Sequence, residues 1–367
     1  MATDWGTPPW HIAIAIPPHP VPHRCDVAVV GAGLTGLSAA YHLARGGVRT
    51  AVLEAGTIGA GASGRTGAIV LEGTAAGPLE DVDDCLDAVA RVTRKAGIAC
   101  ELRLDGCHEL AHQRGPGPLT PLWHDVDGDL CLAGMEPGGT VDAGALLAGL
   151  ARAAQEAGAT IHEGVAVTSI EPGPSIVLHA GPATVHAGHV VVALNAYTTT
   201  VLPLPVTPTP ALTLALCTEP LPEAALETIG LGDRRPFYTV DLPYLWGRTL
   251  GDGRVVFGAG LVFPDDGDVR TVDLRSPGAA GTMARLETRV RGLHLALADV
   301  RVTLRWGGPI AFLGRPPLLG PHPDAPNILV TGAYAGHGVA LGVRVGELVA
   351  AAVTTGRRLP SWGALVG

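Results

Sequence analysis

Lysine is almost missing from this 367-residue chain: Lys95 is the only one, and every other basic side chain is arginine. Any mechanism that needs a second lysine is excluded. Paired cysteines are missing too. Cys25, Cys85, Cys100, Cys107, Cys131 and Cys217 are scattered with no C-x-x-C, so neither a zinc site nor a redox disulfide is indicated. Buried free thiols in a reducing cytoplasm are expected instead. No apolar run reaches the roughly 18 residues of a membrane span. The N-terminus lacks a basic stretch ahead of an apolar core, and prolines at 8, 9, 17, 18, 20 and 22 interrupt it. Residues 1–23 therefore read as an extended lead-in lying over the surface of the following domain, not as a signal peptide. Net charge is −9, from 34 acids against 25 bases. That leaves no basic footprint for nucleic acid.

What is present is glycine and proline, 51 and 31 residues, in a chain that is 47% hydrophobic. This suits an α/β enzyme of two domains with many turns. A strand at Cys25–Val30, a helix at Leu34–Arg45 stopped by Gly46 and Gly47, and a strand at Val48–Glu54 form a βαβ unit. Asp81–Lys95 reads as a helix with acids early and bases late. Its cluster Asp81, Asp83 and Asp84 has no further ligand at metal spacing and reads as a solvated helix start, so no metal is expected. Gly139–Ile170 and Asn327–Val353 restart the α/β rhythm, while 100–132 and 211–304 are β-rich, with a hairpin signal at Asp252-Gly253.

Gly31, Gly33 and Gly36 form G-x-G-x-x-G between strand and helix. The first allows the tight turn, the second the approach of a pyrophosphate, and the third close helix–strand packing. Leu34, Thr35 and their neighbours then offer free N–H groups to the phosphates at the helix N-terminus. Glu54, followed by Ala55, ends the next strand, where a carboxylate takes a ribose hydroxyl pair and disfavours a 2′-phosphate. A nicotinamide domain would continue into another βα unit. Here "GTIGAGASGRTGAIV" (Gly56–Val70) makes a glycine loop suited to a larger cofactor.

The βαβ unit with Glu54, "GASGRTGA", "VVVALNAYT", "RWGGPIAF" and "GAYAGHGVALGVRVGELVA" together resemble the FAD-dependent D-amino-acid oxidase superfamily. Their form is nearest its gamma-glutamylputrescine oxidase branch, and the resemblance runs from about 24 to 355. It implies an α/β fold in which a Rossmann-type FAD-binding domain (1–77, 139–208 and 305–367) interleaves with a substrate domain (78–138 and 209–304) built on a large, mostly antiparallel sheet. It also implies that Ala62 and Ser63 touch the pyrophosphate and ribityl region. Gly67, Ala68 and Ile69 would run beside the isoalloxazine, with Arg65 and Thr66 also binding the cofactor, and Val167 would hold the adenine by its backbone. The turn from Tyr334 through Gly336, His337, Gly338 and Val339 to Ala340 would pass under the pyrimidine edge. There a helix N-terminus stabilises a reduced, anionic flavin. His337 is either a backbone-positioning residue or a direct participant.

The family chemistry is hydride transfer from a neutral amine to flavin N5, giving an imine that water hydrolyses. Three departures shape the expectation. "GRPPLLGPHP" carries no cysteine, so FAD is expected to be noncovalent. Ala340 stands where a carboxylate-holding lysine would be, and "RVVFGAG" lacks the lysine that assists oxygen. The clamp arginine of the glycine oxidases is replaced by Pro309 or Ile310, with Arg305 earlier on the strand. The balance favours an amine without an α-carboxylate, although Arg65 or Arg248 could replace the clamp. Tyr244, Trp246 and Arg248 alternate on one strand face as aromatic walls and a hook, and Trp306 beside Gly307-Gly308 is a candidate pocket edge. The expected partners are a small amine or amino acid and either molecular oxygen or another electron acceptor. A flavin dehydrogenase, an oxidase of N-methyl or D-amino acids, and a flavin-free NAD protein stay open as alternatives.

Overall fold

The structure, a computed structural model, describes residues 4–113, 120–314 and 316–365. Five strands lie parallel in one sheet, in the order Ala325–Gly332, Ala183–Val192, Arg24–Val30, Thr50–Leu53 and Thr160–His162. The run "TAVL" is buried at every residue and "DVAVV" at nearly every one, as strands covered on both faces require. Leu318–His322 closes one edge, and a hairpin of Val167–Glu171 and Ile176–Ala180 continues from Ala183–Val192. Helices Leu34–Arg45, Ala143–Glu156 and Ala340–Thr355 share one core on this sheet. The first and last helices meet closely because Gly342 and Gly346 leave room for Thr35 and Ser38, and Ser38 Oγ donates to the Val343 carbonyl at 2.7 Å.

The second sheet runs Val302–Phe312, Thr209–Thr218, Val255–Val262, Leu245–Thr249, Phe237–Thr239, Cys107–His112, Gly128–Glu136 and Pro121–Asp125. Every pairing is antiparallel except that of Phe237–Thr239 with Cys107–His112. Helix Pro277–Leu293 packs on one face around Phe237, Phe257 and Leu286. The other face turns toward the first sheet. A short ribbon, Ile69–Leu71 with Gly138–Thr140, lies at the crossing. This is the Rossmann-type sheet beside a mostly antiparallel one that the sequence implied.

Some details differ from expectation. The boundary at 305 falls inside Val302–Phe312, which belongs wholly to the second sheet because it pairs with Thr209–Thr218 from Thr218↔Val302 to Thr209↔Phe312. Helix Cys85–Lys95, placed in the substrate domain by sequence, buries Leu86, Val89 and Val92 in the core of the first layer, against the last helix. It starts at Cys85 rather than Asp81 because Asp81 takes a left-handed φ of 64°. In the acidic cluster Asp83 is exposed, as a solvated start requires, while Asp84 pairs with Arg344 at 2.7 Å and Asp81 with Arg357. The lead-in runs extended over the surface as expected, exposed or half-buried throughout, and its residues 4–12 bridge the two layers, as described below.

All six cysteines are buried and free. Among the described residues no cluster of His, Cys, Asp or Glu could hold a metal, and no helix is long and apolar enough to cross a membrane.

Candidate active site

The dinucleotide end is built from the glycine turn upward. Gly31 has φ +104°, and a side chain there would run into the Ala193 carbonyl. At Gly36 a Cβ would collide with the Gly31 carbonyl, so helix and turn close only because both are glycine. Gly33 begins the helix without any side-chain cap of its own. A Cβ on Gly33 would meet Ser63 Oγ at 2.8 Å, and that hydroxyl accepts the Leu34 N–H at 3.0 Å. Thr35 Oγ1 lies 3.1 Å from Tyr334 Oη and ties the first turn to the last, while burial pushes the Tyr334 phenol up to about 12. Glu54 Oε2 accepts the Ala32 N–H and Oε1 the Gly56 N–H, each at 2.8 Å. A carboxylate has about four acceptor sites, so two remain for ribose hydroxyls. Ala55 is exposed beside it, Ala62 half-buried ahead of the Ser63 turn, and Val167 opens the edge strand of the appended hairpin.

The loop after Ser63 is held residue by residue. Trp306 Nε1 donates to the Arg65 carbonyl at 2.9 Å and Trp10 Nε1 to the Thr66 carbonyl at 2.7 Å. The Trp246 indole lies against Gly67, where any Cβ would collide with it, and its other side covers Gly258. Arg248 Nη1 donates to the Ala68 carbonyl at 2.9 Å and the Val141 carbonyl at 2.6 Å. Ala68 is fully buried with φ 55°, a left-handed conformation that a non-glycine residue keeps only when its surroundings hold it. Its N–H donates to Thr66 Oγ1. Ile69 then enters the ribbon opposite Thr140.

Arg248 is 6% exposed, its Nε has no partner, and desolvation brings its guanidinium down to about 10. Arg65, also lowered by burial, gives Nη1 to the carbonyls of Gly6, Trp5 and Gly307 at 2.9, 3.2 and 3.4 Å. Each cation, expected as a substitute clamp, therefore directs its Nη1 to main-chain carbonyls. Trp306, expected at a pocket edge, is 0% exposed and lies beneath the loop, because its indole N–H finds its acceptor there. Arg305 projects to the opposite face and pairs with Glu287 at 2.8 Å.

The last glycine turn holds His337 half-buried, with its N–H donating to the Tyr334 carbonyl at 2.9 Å. His337 Nδ1 is buried without a partner, and burial lowers the imidazole pKa. A side chain at Gly336 would meet open space, and the helix that begins at Ala340 after Val339 has no side-chain cap. Gly338 packs on the Tyr334 ring.

Strand Val302–Phe312 links the two ends. Gly308 sits beside Arg65, and Ala311 accepts the Ala335 N–H at 3.1 Å. Between those anchors its site-facing residues are Gly308 and Ile310. Their sheet neighbours on the same face are Thr213 and Ala211, with Leu261 beyond Thr213. Tyr244, 55% exposed, stands at the head of the neighbouring strand, in alternation with Trp246 and Arg248. None of these facing residues outside Arg248 carries a charge.

Two helix ends without an N-cap side chain of their own, a carboxylate with open acceptor sites and a pinned glycine loop fit an extended dinucleotide carrying a ring system. The fold and site define an FAD-dependent oxidoreductase. The profile of the DAO family, described as FAD dependent oxidoreductase, matches residues 26–352, and the chain belongs to that family. It is 28% identical over 376 residues to gamma-glutamylputrescine oxidoreductase of Escherichia coli, covering 89% of this chain and 83% of that one. It is 25% identical over 383 residues to the probable oxidoreductase OrdL of Haemophilus influenzae, covering 92% and 84%. Glycine oxidase of Geobacillus kaustophilus superposes with a TM-score of 0.73 at 21% identity, covering 94% and 99%.

Proposed function

We propose that this enzyme oxidises a C–N bond of a small amine that lacks an α-carboxylate, using noncovalent FAD. One observation carries the reading: Arg65 and Arg248, the two cations at the loop, turn their Nη1 groups onto main-chain carbonyls. The strand face between Arg65 and Ala335 offers only Gly308, Ile310, Thr213, Ala211 and Leu261. A substrate carboxylate placed there would be desolvated without a partner, which is costly. The relationship to gamma-glutamylputrescine oxidoreductase supports the amine side of the choice.

The same face favours a neutral amine. Desolvation disfavours the ammonium form, lowering the substrate pKa and leaving a lone pair on nitrogen. Tyr244 presents its ring at the exposed rim, where an incoming ammonium can be received before it loses its proton. The bound flavin supplies the two-electron acceptor for the α-hydrogen, after which water hydrolyses the imine.

Dioxygen is proposed as the final acceptor. A dehydrogenase is the second reading, favoured by the lysine-free strand Val255–Val262 and by the position of Lys95 on a helix of the other layer. Anaerobic visible spectra of the holoenzyme test both points. Primary or secondary amines are expected to bleach the flavin band, while glycine, sarcosine and D- or L-amino acids leave it unchanged. Bleaching by amino acids alone overturns the substrate proposal. Air should then restore the band with formation of hydrogen peroxide, and a band that stays bleached in air makes the enzyme a dehydrogenase.

A further inference from the structure

The lead-in carries tryptophan at positions 5 and 10 within an otherwise proline-rich arm. Its path joins three parts of the molecule. Trp5 Nε1 donates to the Val272 carbonyl at 2.7 Å, the Trp5 carbonyl accepts the Gly307 N–H at 2.8 Å, and Gly6 bridges to Trp306. Trp10 packs with Trp246, Trp306 and Val256 on the site-facing side of the second sheet. Its ring lies over the Arg248 guanidinium, 5.6 Å from centroid to carbon. Ile12 then fills the space above Gly59 and Gly64, at the base of the same loop.

Four consecutive loop residues are thus gripped from one side, three by the second sheet and one by the arm: Arg65 by Trp306, Thr66 by Trp10, Gly67 by Trp246 and Ala68 by Arg248. A trans peptide sets its C=O and N–H on opposite sides. Carbonyls of Arg65 and Thr66 drawn toward the sheet therefore aim the N–H groups of Thr66 and Gly67 away from it. Those are the donors available to the edge of a ring bound along the loop. Trp10 acts twice in this arrangement, through its own N–H on Thr66 and through its face on the Arg248 that pins the strained Ala68.

We propose that Trp10 is a positioning residue for the flavin loop, and that the N-terminal arm completes the cofactor site. The inference rests on FAD occupying this loop, and it is independent of the choice between amine and amino-acid substrate. Trp10→Phe keeps a ring over Arg248 and removes only the N–H on Thr66. Apoprotein is titrated with FAD, and the reconstituted protein's reduction potential and visible spectrum are recorded. Trp362→Phe, which removes an indole N–H bonded to Glu80 elsewhere, serves as the control. Trp10→Phe is expected to weaken FAD binding by about tenfold, or 1.4 kcal/mol, and to shift the potential and the flavin band, with Trp362→Phe at wild-type values. Circular dichroism confirms that both variants are folded. A Trp10→Phe protein with wild-type affinity, potential and spectrum overturns the proposal. Failure of the wild-type apoprotein to take up FAD would instead overturn the cofactor assignment on which it rests.

Discussion

His337 shows what a single side chain contributes here beyond its backbone. Its ring is buried enough to lower its pKa from the ordinary 6.5, and Nδ1 meets no partner. A histidine that titrates lower when folded than when unfolded leaves stability unchanged above about pH 6.5. As pH falls below that value the unfolded chain takes up the proton first, so stability drops until the folded pKa is reached. The same sign holds for His42 and His162, also lowered chiefly by burial. Thermal midpoints of the apoprotein should therefore fall on acidification below about pH 6.5, with a shallower slope in His337→Asn. An unaltered slope in that variant would assign the effect to the other histidines. At this scale the glycines were legible in the sequence, because Gly31, Gly33 and Gly36 state a local geometry. Arg65 and Arg248 were not, because the carbonyls that occupy them come from Gly6, Gly307 and Val141, at remote positions in the chain.

Among the elements, helix ends separate structural duty from ligand duty. Ala143–Glu156 begins with Asp142, whose carboxylate accepts the Ala145 N–H at 2.8 Å, so that terminus is closed. Leu34–Arg45 and Ala340–Thr355 begin with Gly33 and Val339 and carry no cap of their own. Asp142→Ala is expected to cost about 1 kcal/mol, read as a lower urea midpoint with unchanged FAD affinity. A loss of FAD affinity would mean that this helix also serves the cofactor. The first helix was readable to its last residue because a glycine turn and a Gly46-Gly47 stop bracket it. Val302–Phe312 was not, since its Gly307-Gly308-Pro309 run suggests a break, and only pairing with Thr209–Thr218 makes it one strand. The prolines of the lead-in signalled an extended chain but not the residues it bridges.

For the molecule as a whole, the loop at 63–69 joins the two layers. It touches the first helix through Ser63 and the second sheet through Trp246, Arg248 and Trp306. A ligand seated on it stabilises both layers together. At FAD concentrations a hundredfold above its dissociation constant, unfolding should become harder by about 2.7 kcal/mol. Calorimetry should show one transition moving as a unit. Two transitions, of which only one responds to FAD, would mean that the sheets melt separately. The two-layer plan itself was visible in the alternation of α/β and β-rich segments, whereas the grip between layers depends on contacts that no local pattern encodes.

The arm also sets an order of events during synthesis. Asp4 and Trp5 are made long before their partners Val272, Leu274 and Gly307. Val272 lies 267 residues beyond Trp5, so that stretch must be made before the arm can find its place. Such long-range closures are slow to form, and until then two tryptophans stay exposed on a nascent chain. The cofactor site is thus complete only when a segment 267 residues distant in sequence has docked.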